Sequence, residues 1–219
     1  DDEAEALHNV HFELNQGETL GIVGKTGSGK TTILKLLMRE FEGYDGSIHF
    51  GEHSIDEYRK TKLREAIGYV PQDHFLFSTT IYNNIAFTNP NAAKEDVEHA
   101  ASVAYIHDDI STFTDGYKTV VGERGVSLSG GQKQRISIAR AVMMKPELLM
   151  LDDSLSAVDA KTEEAILEAL KKERENATTI ITSHRLSAIS HAHVIIVMEE
   201  GTIVEKGTHE ELMALRVKY

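Results

Sequence analysis

A segment near the start of the sequence has the residue types and spacing of a phosphate-binding loop, or P-loop. It fits the pattern G-x-x-x-x-G-K-[ST], and its members are Gly24, Lys25, Thr26, Gly27, Ser28, Gly29, Lys30 and Thr31. Glycines let backbone N–H groups surround phosphate oxygens, and the start of the following helix adds partial positive charge. We expect Lys30 to reach the β- and γ-phosphates, Thr31 to ligate Mg²⁺ and Thr32 to donate to a phosphate.

A second segment also has the features of an anion-binding helix start. Its sequence is Leu-Ser-Gly-Gly-Gln, and the candidate phosphate contacts are Ser129, Gly130, Gly131 and Gln132. The serine can cap the helix, and the glycines leave backbone N–H groups accessible. Together with the P-loop, this segment resembles the signature motif of ABC transporter ATPases. The resemblance implies ATP and Mg²⁺ as cofactors and a head-to-tail pair, in which each ATP lies between one P-loop and the partner's signature segment.

Further residues match the ABC pattern in order along the chain. An apolar run, Leu148–Leu151, ends at Asp152, which resembles the Walker B aspartate that holds Mg²⁺. The resemblance identifies Gln72 with the Q-loop glutamine, a contact to Mg²⁺ or to the attacking water. It likewise identifies Asp159 with the D-loop, at the paired nucleotide site, and His184 with the switch histidine that contacts the γ-phosphate.

Asp153 departs from the family pattern, which has glutamate after the Walker B aspartate. The carboxylate that polarises the attacking water is retained, but its reach is shorter by one C–C bond, about 1.5 Å. We therefore expect reduced hydrolysis at the chain's own Walker B site, as in one half of a heterodimeric exporter whose partner is a non-identical domain. A homodimer in which Asp153 works adequately remains open, as does a nucleotide-gated dimerisation module with little hydrolysis.

The segment Thr119–Gly125 resembles the X-loop of ABC exporters, which contacts the coupling helices of the membrane domain. With the Q-loop, it implies a transmembrane partner and a place at the cytoplasmic face of the cell membrane. The resemblance implies export, but it does not identify the cargo. In exporters an aromatic residue before the first strand stacks on adenine. No aromatic precedes Phe12 here, so we expect that residue upstream of Asp1 and weak ATP binding without it.

Composition and the lack of certain motifs argue against several other classes of function. The 219-residue sequence has a net charge of −12, which disfavours a nucleic-acid partner, and it has no cysteine for a thiolate metal site. His191 and His193 could share a strand face, but no third ligand is evident. A DNA-repair ATPase would carry a longer insertion between its motifs, and a GTPase would carry an N-K-x-D motif.

The pattern of strands and helices predicts an α/β P-loop NTPase core with a mostly parallel sheet and an inserted α-helical subdomain. We expect residues 1–219 to form a single ABC ATPase domain. Residues 1–74 and 145–219 are predicted to form its core, and residues 75–144 the helical signature subdomain. An antiparallel β part is expected at the N-terminus, with a strand over Leu7–Leu14. Long helices are expected over Lys30–Phe41 and Lys94–Phe113, and a hairpin around Gly201.

Overall fold

The computed structural model describes residues 6–123 and 125–215, in which strands and helices alternate. The strands are β1 (Thr19–Gly24), β2 (His49–Phe50), β3 (His53–Ser54), β4 (Ile67–Val70), β5 (Leu148–Asp152), β6 (Thr178–Ser183), β7 (Val194–Glu199) and β8 (Thr202–Gly207). The helices are α1 (Lys30–Leu37), α2 (Lys60–Glu65), α3 (Ile81–Ile85), α4 (Lys94–Val103), α5 (His107–Thr112), α6 (Gly130–Met143), α7 (Ala160–Glu173), α8 (Leu186–Ile189) and α9 (His209–Leu215). The predicted α/β class is confirmed.

The chain divides into two compact units, the first of which contains most of the main sheet. This unit consists of Asp1–Ile67, Glu147–Asp152 and Asn176–Tyr219. Strands β5, β6, β1 and β7 lie side by side and run parallel, and β8 pairs antiparallel with β7 at the sheet edge. The mostly parallel sheet and the hairpin around Gly201 are thus confirmed.

Apolar burial explains why these strands form the centre of the first unit. Every residue of β5 is buried, as expected for a parallel strand that is covered on both faces. Helix α8 approaches β1 so closely that a Cβ on Gly21 would lie 2.7 Å from Cβ of Ile189. The sheet therefore fixes the carboxyl ends of β1, β5 and β6, from which candidate site residues emerge.

The second unit consists of Gly68–Pro146 and Asp153–Glu175, and it is mainly helical. Helix α6 contributes Ile136 and Ile138 to its core, and α4 contributes Val97 and Ala101. This unit includes α7, which lies outside the 75–144 subdomain expected from the sequence. The division into a core of residues 1–74 and 145–219 with a helical insertion stays a prediction.

The predicted strand over Leu7–Leu14 is wrong, because no strand occurs there. Asn9 has a φ of 49°, and this left-handed conformation interrupts the extended backbone that a strand requires. The separate antiparallel pair of the first unit is instead β2 with β3, which follow α1 in the chain. Alternating apolar residues at positions 10, 12 and 14 were therefore not sufficient evidence for pairing.

Two predicted helices are shorter than expected. The first ends at Leu37, and Arg39 then adopts a φ of 52°. The helical pattern from Lys94 is broken between α4 and α5, where Tyr105 has a φ of 56°. In both cases the apolar spacing continued past a residue with left-handed backbone, which ends a right-handed helix.

Candidate functional site

The P-loop connects the buried strand β1 to helix α1. Gly27 and Gly29 have φ values of 81° and 104°, a region in which glycine is favoured because it has no Cβ. No atom of the described residues would lie within 4 Å of a Cβ added to Gly27, so the space beside this residue is open. Glycine backbone in this conformation can turn successive N–H groups towards one anion.

Lys30 and Ser28 supply polar side chains inside the loop. The Lys30 Nζ donates to the carbonyl oxygens of Gly24 and Lys25, at 2.6 and 3.0 Å. The Ser28 hydroxyl is buried and has no hydrogen-bond partner among the described residues. An unsatisfied buried hydroxyl is costly, and a phosphate oxygen would satisfy it. These residues therefore fit the phosphates of a nucleotide.

Asp152 ends β5 and is the centre of a buried hydroxyl cluster. Thr31 donates to its Oδ2 at 3.0 Å, and Thr182 donates to its Oδ1 at 2.6 Å. Carboxylate and hydroxyl oxygens are the ligands that Mg²⁺ prefers, so Thr31 and Asp152 fit this ion. The sequence analysis missed Thr182. Thr182 lies beside Asp152 because β5 and β6 are neighbouring parallel strands whose register pairs these two residues, and no local sequence signal gives that register.

His184 follows β6 directly and is exposed to solvent. It stands two residues after Thr182 at the carboxyl end of the strand. Of the other two histidines considered, His193 accepts a hydrogen bond from the backbone N–H of Thr19 through Nδ1. His193 therefore has a structural contact to β1, whereas no hydrogen bond joins the exposed His184 side chain to another described residue.

The signature segment, Ser129–Gln132, begins α6 with a reciprocal capping box. The Gln132 N–H donates to the Ser129 hydroxyl at 3.1 Å, and the Ser129 N–H donates to the Gln132 side-chain oxygen at 3.0 Å. A Cβ on Gly131 would lie 2.8 Å from the carbonyl oxygen of Ala157, so this position requires glycine. The helix start is therefore preorganised and packed against the loop that follows Asp153.

Gln134 joins the signature helix to the D-loop, Ser156–Asp159. Its buried amide donates to the Ser156 hydroxyl at 3.0 Å and accepts from the Ala157 N–H at 2.8 Å. Asp159 accepts from the hydroxyl and N–H of Thr162 and caps α7. These hydrogen bonds hold the pKa of Asp159 below its usual value. Sequence analysis did not identify Gln134, and it assigned Asp159 no capping role.

Gln72 and Asp153 lie together in the second unit. The Gln72 amide donates to the Asp153 carboxylate over a long distance of 3.4 Å. Asp153 has a φ of 47°, a left-handed conformation that aspartate tolerates better than most residues. Thr31 and Asp152 belong to the first unit, so the grouping of Gln72 with them as Mg²⁺ ligands stays a prediction.

An aromatic patch, Phe75, Phe77 and Phe87, follows the Q-loop glutamine in the second unit. Phe77 stacks on Phe87 with 4.5 Å between the ring centroids, and Phe75 meets Phe77 edge-on. The Arg140 guanidinium lies 5.4 Å from the Phe77 ring, and burial lowers the Arg140 pKa. All three phenylalanines are solvent-exposed, at 65%, 36% and 52%. An exposed patch of this kind is typical of a protein-contact surface.

Two kinds of feature are absent from the described residues. No cluster of three or more His, Cys, Asp or Glu side chains could hold a metal ion in residues 6–123 and 125–215. The Mg²⁺ ligands proposed here include a single carboxylate and would not form such a cluster. No described helix is both long and apolar enough to cross a bilayer. In the predicted X-loop, Arg124 lies outside the described residues.

Comparison with known proteins gives one consistent family. The family described as "ABC transporter" matches residues 7–156. The chain is 52% identical over 208 residues to a probable multidrug resistance ABC transporter ATP-binding/permease protein, YheI, of Bacillus subtilis, covering 95% of the chain and 36% of YheI. It is 50% identical over 207 residues to the multidrug resistance-like ATP-binding protein MdlA of Escherichia coli, covering 94% of the chain and 35% of MdlA.

A solved structure supports the same assignment. The chain matches a bacterial Atm1-family ABC exporter with ATP bound, at a TM-score of 0.94 and 40% identity over 99% of the chain. The match covers 38% of that exporter, and the chain spans about a third of the length of YheI and MdlA. The chain therefore belongs to the ABC transporter family, of which it represents the ATP-binding domain.

Proposed function

We propose that this chain binds ATP with Mg²⁺ and drives export across a membrane by pairing head to tail with a second nucleotide-binding domain. The observation that carries the proposal is that each compact unit contains a helix N-terminus suited to binding an anion. The first has Lys30 and the Ser28 hydroxyl, which has no hydrogen-bond partner among the described residues, and the second has Ser129 as its capping residue. Each helix N-terminus suits a phosphate group. In a head-to-tail pair, the P-loop of one chain and the signature segment of the other would contact the same nucleotide.

Residues of the P-loop would bind and orient the nucleotide. Lys30 would exchange its two loop carbonyls for phosphate oxygens, and the Ser28 hydroxyl would gain a hydrogen bond to phosphate that no described residue provides. Thr31 and Asp152 would hold Mg²⁺, which neutralises charge that develops on the phosphates. Thr182 donates to the Asp152 carboxylate and keeps it oriented towards the loop.

Asp153, Gln72 and His184 are the proposed catalytic residues. Asp153 would accept the proton of the attacking water, and the Gln72 amide is close enough to orient that carboxylate. His184, exposed at the end of β6, would donate to the γ-phosphate. The partner's signature segment would close the site and exclude bulk water while the attacking water stays bound, and Asp159 of the D-loop would lie at the same interface.

We further propose that the chain's own site hydrolyses ATP slowly and that the natural partner is a non-identical domain with a glutamate at this position. The shorter aspartate supports this, since a misplacement near 1 Å can cost about 10²-fold in rate. The composite site that uses this chain's signature segment would then perform most of the hydrolysis. A homodimer with an adequate Asp153 is the alternative, and a nucleotide-gated module with little hydrolysis is a second candidate favoured by the same residue.

The aromatic patch next to the Q-loop supports contact with a membrane domain. A cavity of about 100 Å³ lies beside Phe75, and its lining includes Tyr69, the buried Ser137 and Arg140. Ser137 has no hydrogen-bond partner among the described residues. We propose that coupling helices of the membrane domain dock here and on the X-loop, which would place the chain at the cytoplasmic face of the membrane.

A complementation experiment tests head-to-tail pairing. Lys30→Ala should disable the chain's own P-loop, and Ser129→Ala should disable the signature segment that it offers to a partner. Each variant alone should lack turnover, but a mixed pair has one intact site, made from Lys30 of one chain and Ser129 of the other. An equal mixture should recover about a quarter of wild-type ATP turnover, because half of the pairs are mixed and each has one of two sites. No recovery, with an active wild type, would contradict the proposed pairing.

A further inference from the structure

Asp109, on α5, holds the signature segment through a single carboxylate oxygen. Its Oδ2 accepts from the Gln132 side-chain amide at 3.2 Å and from the Arg135 guanidinium at 2.9 Å. The Asp109 and Arg135 side chains are 34% and 14% exposed, so water screens the contact only partly. Charge-assisted hydrogen bonds of this kind are stronger than neutral ones.

The Asp109 carboxylate determines which way the Gln132 side-chain amide points. A carboxylate only accepts hydrogen bonds, and the backbone N–H of Ser129 only donates. Gln132 can satisfy both only with its NH₂ towards Asp109 and its oxygen towards Ser129, which is the arrangement observed. A flipped amide would place oxygen against carboxylate and NH₂ against N–H.

The amide orientation in turn governs the Ser129 hydroxyl. With the capping box formed, the Ser129 Oγ accepts from the Gln132 N–H. A serine hydroxyl has one proton to donate, and that proton stays available for an anion in front of the helix. A phosphate oxygen is an acceptor of this kind. A broken capping box would free the Ser129 side chain to change rotamer.

Arg135 serves two purposes in this arrangement. Its Nε donates to the Gly131 carbonyl at 3.1 Å, and its guanidinium also donates to the Tyr105 carbonyl, which braces the loop before α5. The positive charge of Arg135 also offsets the negative charge of Asp109, which would otherwise repel a phosphate near the start of α6. The carboxylate can therefore orient the segment without opposing anion binding.

We propose that Asp109 is a positioning residue that presents the Ser129 hydroxyl to the phosphate of a nucleotide held by the partner domain. This role rests on the proposed head-to-tail function. Asp109 would not touch the nucleotide, and its effect would pass through Gln132. Its removal should impair the paired site and leave ATP binding at the chain's own P-loop unchanged.

The test compares Asp109→Ala with Asp108→Ala in the full chain. Both aspartates lie in the first turn of α5, so each change removes one negative charge at the same helix end. Three quantities are measured: ATP binding in dilute solution, ATP turnover at rising chain concentration, and amide hydrogen exchange in residues 129–132. We expect Asp109→Ala to lower turnover about tenfold, which corresponds to lost hydrogen bonds to a charged group. It should also speed exchange in that segment and spare ATP binding.

Asp109→Asn provides the rescue, because its amide oxygen can still accept from Gln132 and Arg135. It should recover most of the lost turnover and slow exchange, whereas Asp108→Ala should behave like the wild type. Equal behaviour of Asp109→Ala and Asp108→Ala in turnover and exchange would overturn the inference. So would loss of ATP binding in both Asp109 variants, which would indicate a general structural role. A wild type without turnover would contradict hydrolysis by pairs of this chain and favour the nucleotide-gated module, and the exchange comparison would still decide whether Asp109 positions the segment.

Discussion

The P-loop and the signature segment both begin a helix with glycine-rich backbone, but different interactions hold them in place. The P-loop connects β1 to α1. Its Lys30 side chain donates to the carbonyl oxygens of Gly24 and Lys25, which belong to the same loop. The signature segment also depends on residues of other elements. The Asp109 carboxylate on α5 accepts a hydrogen bond from Gln132, and the backbone of Ala157 packs against Gly131. The Lys30 side chain is thus held within its own loop, whereas the Gln132 side chain is held by a carboxylate from another helix.

This difference has a physical reason. A loop that surrounds a triphosphate needs many N–H groups and one flexible cation, which a short continuous segment can supply. A segment that completes another chain's site must present one hydroxyl in a fixed direction. Fixing a direction requires contacts from several elements, because a single capping bond leaves other rotamers accessible.

Replacing the P-loop lysine should produce the largest effect and the clearest contrast between the two regions. Lys30→Ala should weaken ATP binding by about a hundredfold or more, as hydrogen bonds to a charged group are worth about 1.5–3 kcal/mol each. Ser129→Ala should leave ATP binding to the isolated chain unchanged, because in the proposed pair the nucleotide that Ser129 contacts is held by the partner. Fluorescent-nucleotide titration measures both, with Lys35→Ala on α1 as the charge control. Intact binding in Lys30→Ala would refute the P-loop assignment.

Changing the proposed base sharpens the comparison at the hydrolytic step. Asp153→Glu should raise ATP turnover about tenfold. The restored reach alone would raise the rate by up to about 10²-fold. Glutamate is strained at a φ of 47°, which costs about 1 kcal/mol and reduces that gain. Asp153→Asn tolerates the same backbone without the charge and should lose turnover. Steady-state ATPase assays at concentrations that allow pairing give both values. Vigorous wild-type turnover that Asp153→Glu leaves unchanged would remove the basis for a slow site.

A pair of glycine substitutions tests whether the signature segment is packed rather than merely flexible. Gly131→Ala should destabilise the chain by about 1–3 kcal/mol, because the new Cβ would meet the Ala157 carbonyl oxygen and force the backbone to move. Gly130→Ala is the matched control, since its Cβ would make an ordinary 3.5 Å contact with Ala157. Urea unfolding midpoints compare them. Equal stability of the two variants would show that the loop yields without cost.

The smallest expected effect is on the pH dependence of stability, through the Asp159 side chain that caps α7. The pKa of Asp159 is lowered by its bonds from Thr162, so its cap contributes full stability above the pKa of unfolded aspartate, about 3.9. This contribution is lost as the pH falls through the lower folded pKa. Asp159→Asn keeps a cap that does not titrate, so its stability relative to wild type should rise only below about pH 4. A constant difference from pH 7 to 3 would contradict the prediction.

Local pattern was sufficient for the elements that carry the P-loop. The glycines and the start of α1 follow from residues that are close in sequence, and both were predicted. Asp152 was also predictable, because a buried strand ending in a carboxylate is a local signal. The strand over Leu7–Leu14 was wrong for the opposite reason, since pairing depends on a partner strand, and asparagine tolerates the left-handed conformation seen at Asn9 but does not require it.

The sequence by itself determined the family, the order of the motifs and the residue types of both phosphate-binding helix starts. The tertiary structure decided what supports them: Thr182 beside Asp152, Gln134 on the D-loop, and Asp109 on Gln132. These contacts join residues 22 to 30 positions apart. No short-range periodicity encodes such pairs, because the strand register and helix packing that bring them together are properties of the folded chain.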